Sequence, residues 1–482
     1  MVKRLPRIVL LLMLSATVLA SAGSASSSAD PLHKVSPGVL RETSGGGTAT
    51  FLAILASRAD LSGAAALTGK VAKGRFVFDT LHAFAARTQA PIVALLDRMG
   101  ASYRSHWLVN LLRVTGGRDV VEALARRPDI DSIVPDPWMK STILPDKPAT
   151  LSPAAPNTIE WNVFRVRAPR AWQRGFTGQG IVLGSIDTGQ QWDHPALKSH
   201  YRGWNGSTAD HNYNWYDATT PPSNVPIDPY GHGTHTAGTM VGDDGGTNQI
   251  GVAPGAQWMA CRSMDAAGFG SPDTYITCFE FMIAPWDLNG QNPDPSKAPV
   301  AVSNSWYCSI SMEGCTQRVL FQTVQNVRAA GIVPVVAAGN AGSACQTIGI
   351  DGPPAQYDQS YTVGATTSTN VLAFFSSRGP VRVQGQRLVK PDISAPGDGV
   401  RSSYPPNTYA ILSGTSMATP HIAGAIAILY SAKPQLIGDV DGTEAALNST
   451  AHHINSSECS SNGTYPNNLY GYGIVDADAA SR

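Results

Sequence analysis

The sequence predicts an α/β protein in two folded parts: a small two-layer module over residues 49–140 and one large domain over residues 159–482. Three observations carry that prediction. Apolar runs of strand length end in glycine-bearing polar turns, helix-type segments alternate with them, and a proline-rich stretch divides the two parts. With 482 residues, the chain has room for both.

The N-terminus reads as a positive segment, MVKRLPR, then an apolar run too short to span a bilayer comfortably, then small residues. Ala20-Ser21-Ala22 supplies a cleavage sequence, so residues 1–22 are expected to be a signal peptide. No other long, uninterrupted apolar run follows, which predicts a secreted, extracellular protein with no membrane association after cleavage. Residues 23–48, rich in Ser, Gly and Ala, read as a linker.

In the small module, residues 51–55 (FLAIL) read as a strand. Residues 91–100 read as a helix with Pro91 at its start and Gly100 at its end. Residues 107–114 read as a strand, 119–127 as a helix stopped by Pro128, and 130–134 as a final strand. Pro145, Pro148, Pro153 and Pro156 then make residues 141–158 an extended linker open to proteolysis.

In the large domain, residues 181–186 (IVLGSI) and 332–338 (IVPVVAA) are apolar throughout, the pattern of parallel strands buried on both faces. They end in Asp187-Thr188-Gly189 and Gly339-Asn340-Ala341-Gly342. Ligands bind just beyond the carboxyl ends of such strands.

Charge and cysteine usage narrow the function. Lys plus Arg and Asp plus Glu are both 35, so the formal net charge is zero. No basic surplus is available for a phosphate backbone, and no nucleic-acid partner is expected. Six cysteines, an even number in an exported chain, favour disulfides, and their spacing has no C-x-x-C of a zinc knuckle or redox site. The expected pairs are the two nearest in sequence, Cys261–Cys278 and Cys308–Cys315, leaving Cys345 with Cys459.

Reactive side chains stand at three glycine-rich places. Asp187 emerges from the end of a buried strand, where its charge needs a donor such as an imidazole N–H. In 231–238 (GHGTHTAG), His232 and His235 lie three residues apart, as a metal pair or as one general base beside a structural imidazole. In 413–421 (SGTSMATPH), Ser416 opens a helix that runs to Lys433-Pro434; unpaired N–H groups and the helix dipole there favour negative charge.

Taken together, SIDTG, GHGTHTAG, VVAAGN, FSSRGP, KPDISAPG and SGTSMATPHIAGA, in this order, resemble the signature segments of the subtilisin-like serine proteases over residues 159–482. The resemblance implies a three-layer α/β domain with a mostly parallel central sheet. Before it would stand a small α+β, ferredoxin-like inhibitory propeptide, to which residues 49–140 are similar in position, size and pattern. It implies a serine endopeptidase made as a zymogen, with Asp187, His232 and Ser416 as the triad and Asn340 in the oxyanion hole. Ser303, Asn304, Ser305 and Trp306, the facing Gly268 and Gly270, and Gly339 would then hold extended substrate by β-augmentation. Tyr307 stands where many relatives have glycine. The implied partners are protein or peptide substrates and the chain's own propeptide, and the enzyme is expected to be a monomer. No organic cofactor and no catalytic metal are implied; structural calcium, common in the family, has no assigned loop here.

Two other readings compete. A zinc hydrolase using His232 and His235 lacks the glutamate of H-E-x-x-H and puts glycine inside the helix. A catalytically dead scaffold of the same fold would not need all four catalytic-type residues.

Overall fold

The computed structural model describes residues 30–141, 150–152, 158–308, 320–350, 352–383 and 385–482. The expected signal peptide lies outside them. In the N-terminal module, alternation along β1 (Ala49–Leu55) turns Phe51, Ala53 and Leu55 toward one core and Leu52 toward another. β1 pairs with β3 (Leu111–Gly116) and β4 (Ile130–Pro135), and β2 (Ser102–His106) adds to β3, giving an antiparallel sheet in the order β2-β3-β1-β4. Helices α1 (Lys70–Met99) and α2 (Arg118–Ala125) cover one face, where Ile92, Leu96, Val121 and Leu124 pack on Phe51, Leu112 and Ile133.

Three expectations for this module are corrected. Pro91 does not start a helix but lies inside the 30-residue α1. Proline removes one intrahelical donor, and the buried series Val77, Leu81, Ala85, Ile92 and Leu96 holds α1 together across it. Residues 107–114 are not one strand: residues 107–110 turn the chain between β2 and β3, with Asn110 at φ 49°. Within the expected linker 23–48, residues 37–42 form a short helix, and Val35 and Val39 join the module's core.

Beyond the module, β5 (Met139–Lys140) and β6 (Thr150–Leu151) are short strands that lie on the large domain. That domain is built on seven parallel strands: β7 (Val182–Asp187), β8 (Trp215–Asp217), β9 (Gln257–Arg262), β11 (Ala301–Asn304), β12 (Val333–Ala337), β13 (Tyr361–Thr366) and β14 (Ile393–Pro396), in the order β14-β13-β12-β11-β7-β9-β8. The two-residue β10 (Phe269–Gly270) stands apart from this sheet.

Side chains alternate across the sheet into two cores, which makes the domain three-layered. Leu183, Ala260, Ala301, Val333 and Val335 face α3 (His232–Val241) and α6 (Thr415–Ala432). Ile186, Met259, Val302 and Val336 face α4 (Pro272–Ile283) and α5 (Phe321–Ala329). The hairpin β15 (Val400–Tyr404) and β16 (Thr408–Leu412) leads into α6. Cys261–Cys278 ties β9 to α4, and Cys345–Cys459 closes a separation of 114 residues. The expected partner of Cys308, Cys315, lies outside the described residues.

The second core also receives the module: Leu52, Leu111 and Val134 pack with Tyr275, Phe279 and Val327 of α4 and α5. Polar contacts ring this seam. Arg104 and His106 reach Asp273, Glu280 accepts from the Trp107 and Leu108 N–H groups, and Lys73 Nζ donates to the Gly438 carbonyl. Asp136 accepts from the Asp273 N–H at the start of α4, where an acidic group complements the helix dipole.

Candidate active site

Asp187 ends β7, and His232 opens α3. Both are buried, and His232 Nδ1 lies 2.7 Å from Asp187 Oδ1. The Thr188 N–H also donates to that oxygen at 2.7 Å, and Thr236 Oγ1 donates to Oδ2 at 3.2 Å, so the carboxylate is held at both oxygens. The closeness of the two elements depends on Gly233. A Cβ there would sit 2.0 Å from the Gly189 carbonyl oxygen and 3.0 Å from Asp187 Cβ.

Ser416 occupies the first turn of α6 and is buried, and α6 packs against α3, the helix that His232 opens. Its Oγ donates to the Ser305 carbonyl at 3.3 Å, and Ser305 Oγ donates to the Ser416 carbonyl at 2.9 Å. His232 Nε2 is buried with no hydrogen-bond partner among the described residues. The serine hydroxyl is therefore turned toward Ser305 here rather than hydrogen-bonded to the imidazole. Catalytic hydrogen bonds often tighten only with substrate in place.

Asn340 follows β12 in the turn predicted from sequence. Its Oδ1 accepts from Thr415 N and Thr415 Oγ1, both at 2.9 Å, which fixes the amide and directs its Nδ2 donors elsewhere. Gly339 adopts φ +103°, and a Cβ there would meet Ser377 Oγ at 3.0 Å.

His235 is spatially close to His232 but differently bound. Its Nε2 lies 3.1 Å from the carbonyls of both Val400 and Ala410, bracing the β15–β16 hairpin against α3. Burial is the main cause that pushes its pKa down to about 3, so it is neutral. The two rings are thus engaged differently, His232 through Nδ1 by the Asp187 carboxylate and His235 through Nε2 by two backbone carbonyls. Among the described residues no three His, Cys, Asp or Glu side chains converge.

The expected substrate-binding residues fall into two groups. Gly268 and Gly270 frame β10, which pairs antiparallel with β5: Phe269 opposes Lys140, Gly270 opposes Met139, and Ser141 N–H donates to the Gly268 carbonyl at 2.9 Å. Further along the chain, β6 pairs with β16, Leu151 opposite Ala410. The chain thus lies on the large domain both before and after residues 142–149. Ser303 and Asn304, by contrast, are buried inside β11; the Asn304 amide donates to the Val302 and Val335 carbonyls. Trp306 is buried and stacks on Tyr275 with ring centroids 4.1 Å apart, and Tyr307 is buried too. Only Ser305 of this group touches Ser416.

Sequence reasoning missed Asp228, four positions before His232 in an irregular loop. It is buried and bonded to Thr188, Gly231 and Thr234. An aspartate near a Pro-Tyr-Gly turn carries no local sign of that role.

Comparison with known proteins agrees with this architecture. The model of the subtilase family matches residues 178–473. Bacillopeptidase F of Bacillus subtilis is 38% identical over 392 residues, 78% of this chain but 26% of that relative, so the chain spans about a quarter of its length. The alkaline protease of Alkalihalobacillus alcalophilus is 31% identical over 363 residues, covering 73% of this chain and 77% of the relative. Subtilisin Savinase of Lederbergia lenta is 32% identical over 334 residues, 67% of this chain and 99% of the relative. The chain belongs to the subtilase family of serine-type endopeptidases.

Proposed function

We propose that the protein is a secreted serine endopeptidase, made as a zymogen, that hydrolyses peptide bonds through an acyl-enzyme on Ser416. The observation that carries this reading is the buried Asp187–His232 contact of 2.7 Å, together with Ser416 on the helix that packs against α3 and the Asn340 amide fixed by Thr415 next to it. His232 Nε2 takes the Ser416 proton as Oγ attacks the scissile carbonyl. Asp187 holds the tautomer with hydrogen on Nδ1 and stabilises the imidazolium that forms. The Asn340 Nδ2 and the Ser416 backbone N–H receive the oxyanion, and His232 then protonates the leaving amine. Water repeats the sequence on the acyl-enzyme.

Residues 1–22 serve as the signal peptide and residues 49–140 as the inhibitory module. The pairing of β5 with β10 supports that assignment: residues 139–141 lie on the strand that extended substrate would use. Maturation would cut within residues 141–158. The substrate backbone would pair with Gly268–Gly270 on one side, with Ser305 and Gly339 lining the other, and proteins or peptides are the substrates.

A serine-directed phosphonyl reagent should abolish peptide hydrolysis, while a chelator present during the assay should leave the chemical step intact. Ser416→Ala should be inactive and remain uncut between module and domain; a Ser416→Ala protein that hydrolyses peptides would overturn the reading.

A further inference from the structure

We infer that Asp228 is a positioning residue for the Asp187–His232 pair, acting through the Thr188 hydroxyl; this rests on the triad proposed above. Asp228 is 5% exposed, and its carboxylate accepts four hydrogen bonds. Oδ1 takes Thr188 Oγ1 and Gly231 N–H, each at 2.8 Å; Oδ2 takes Thr234 N–H and Thr234 Oγ1, each at 2.7 Å. All four partners donate, so the site is built for the ionised acid, which only accepts. Burial works against that charge and pushes the pKa up, and the Asp187 charge adds to this, while the hydrogen bonds oppose both.

The partners tie together the two elements that meet at the catalytic pair. Thr188 follows Asp187 directly: its N–H donates to Asp187 Oδ1, and its hydroxyl donates to Asp228. The same hydroxyl accepts the Gly233 N–H at 3.0 Å. Asp228 therefore holds the backbone on both sides of His232, at Gly231 and Thr234 directly and at Gly233 through Thr188. The N–H groups at the start of a helix have no intrahelical partner. Gly231, the residue before α3, has no side chain to cap them. One carboxylate does that work and, in the same contact, fixes the end of β7. The spacing between Asp187 and His232 is set where the two segments are clasped. A displacement of about 1 Å in such a pair is enough to lose about 10²-fold in rate.

The test uses the full chain, secreted and left to process itself, in three forms: Asp228→Asn, Thr188→Val and the double variant. Active sites are counted with the phosphonyl reagent, and kcat, KM, the pH profile of kcat/KM and Tm are measured. Each single variant should lose about 10²-fold in kcat per active site with KM within about twofold. The acid limb should move to lower pH, because a loosened Asp187 favours the imidazolium less. The double variant should be no worse than the poorer single one, since both break one relay. The inference falls if kcat per active site and the acid limb stay at wild-type values while only Tm drops, or if the two losses multiply. If Asp228→Asn does not fold, Thr188→Val decides alone. A His232→Ala protein that retains turnover would instead sink the triad, whatever the Asp228 variants do.

Discussion

Docking of the N-terminal module should be coupled to a proton on His106. The ring is fully buried at the seam, with Nε2 2.8 Å from Asp273 Oδ1 and Nδ1 3.2 Å from Glu280 Oε2. Ionised carboxylates only accept, so both nitrogens carry hydrogen and the docked ring is an imidazolium. Burial pulls the pKa down, but Glu280 and Asp273 outweigh it and push it up to about 10. Arg104 and Arg113 share Asp273, at 2.8 and 3.5 Å, and Asp136 sits beside Arg113, so the charge pattern is closed around the ring. In a detached module the ring returns to its ordinary value near 6.5.

The pKa is raised in the docked state, so the stabilisation is complete below about pH 6.5 and is lost as pH rises through about 10. Between those limits the module's affinity should fall about tenfold per pH unit, or about 1.4 kcal/mol. From pH 7 to 9 that is about a hundredfold. The assay dilutes the self-processed complex into buffers at pH 7, 8 and 9 and follows the appearance of peptide-hydrolysing activity. Each value is normalised to the fully released enzyme at the same pH. His106→Gln keeps a donor but cannot carry the charge, so it should bind more weakly at pH 7 and show a flat profile. Equal wild-type affinity at pH 7 and 9, or a His106→Gln variant with the wild-type slope, would refute the proton linkage.

Asn340→Ala should lower kcat by about 10²–10³ with little change in KM, the outcome expected of the oxyanion role proposed for its amide; a loss under tenfold in steady-state kinetics would count against that role. His235 and His421 are both buried and neutral, with burial the main cause of pKa values near 3 and 4. Their folded values lie below 6.5, so the stability they hold is present above about pH 6.5 and falls with acid, by about 1–2 kcal/mol each by pH 5. Urea unfolding at pH 5 and 7 measures it, and His235→Gln should flatten the slope while leaving kcat per active site intact. Gly233→Ala must move the Gly189 carbonyl or α3, at a cost of about 1–3 kcal/mol in unfolding experiments. Its kcat should fall as well, because the same shift opens the Asp187–His232 contact.

Local pattern was enough to mark the places where chemistry gathers. The all-apolar runs at 181–186 and 332–338 mark parallel strands, and the turns at their ends carry Asp187 and Asn340. The small residues after Ser416 mark the buried α6. Local pattern was not enough where neighbours far along the chain decide. Pro91 reads as a helix start, yet α1 passes through it because its buried stripe, Val77 to Leu96, packs on both the module and the large domain. The segment at Ser303 and Asn304 gives no sign that both side chains are buried in β11, a strand paired on both edges with β7 and β12.

The segments that carry Asp187, His232, Asn340 and Ser416 were thus legible in the order of residues, because each is a short stretch that resembles a signature segment of the family. Their division of labour was not. His232 and His235 differ only in what the fold brings to them, Asp187 for one and the Val400 and Ala410 carbonyls for the other. The same holds for Asp228 and for the proton on His106. Hydrogen bonds and buried charges are settled by groups 40 to 174 positions away in the chain, as with Thr188 to Asp228 and His106 to Glu280, and periodicity carries no information about such partners.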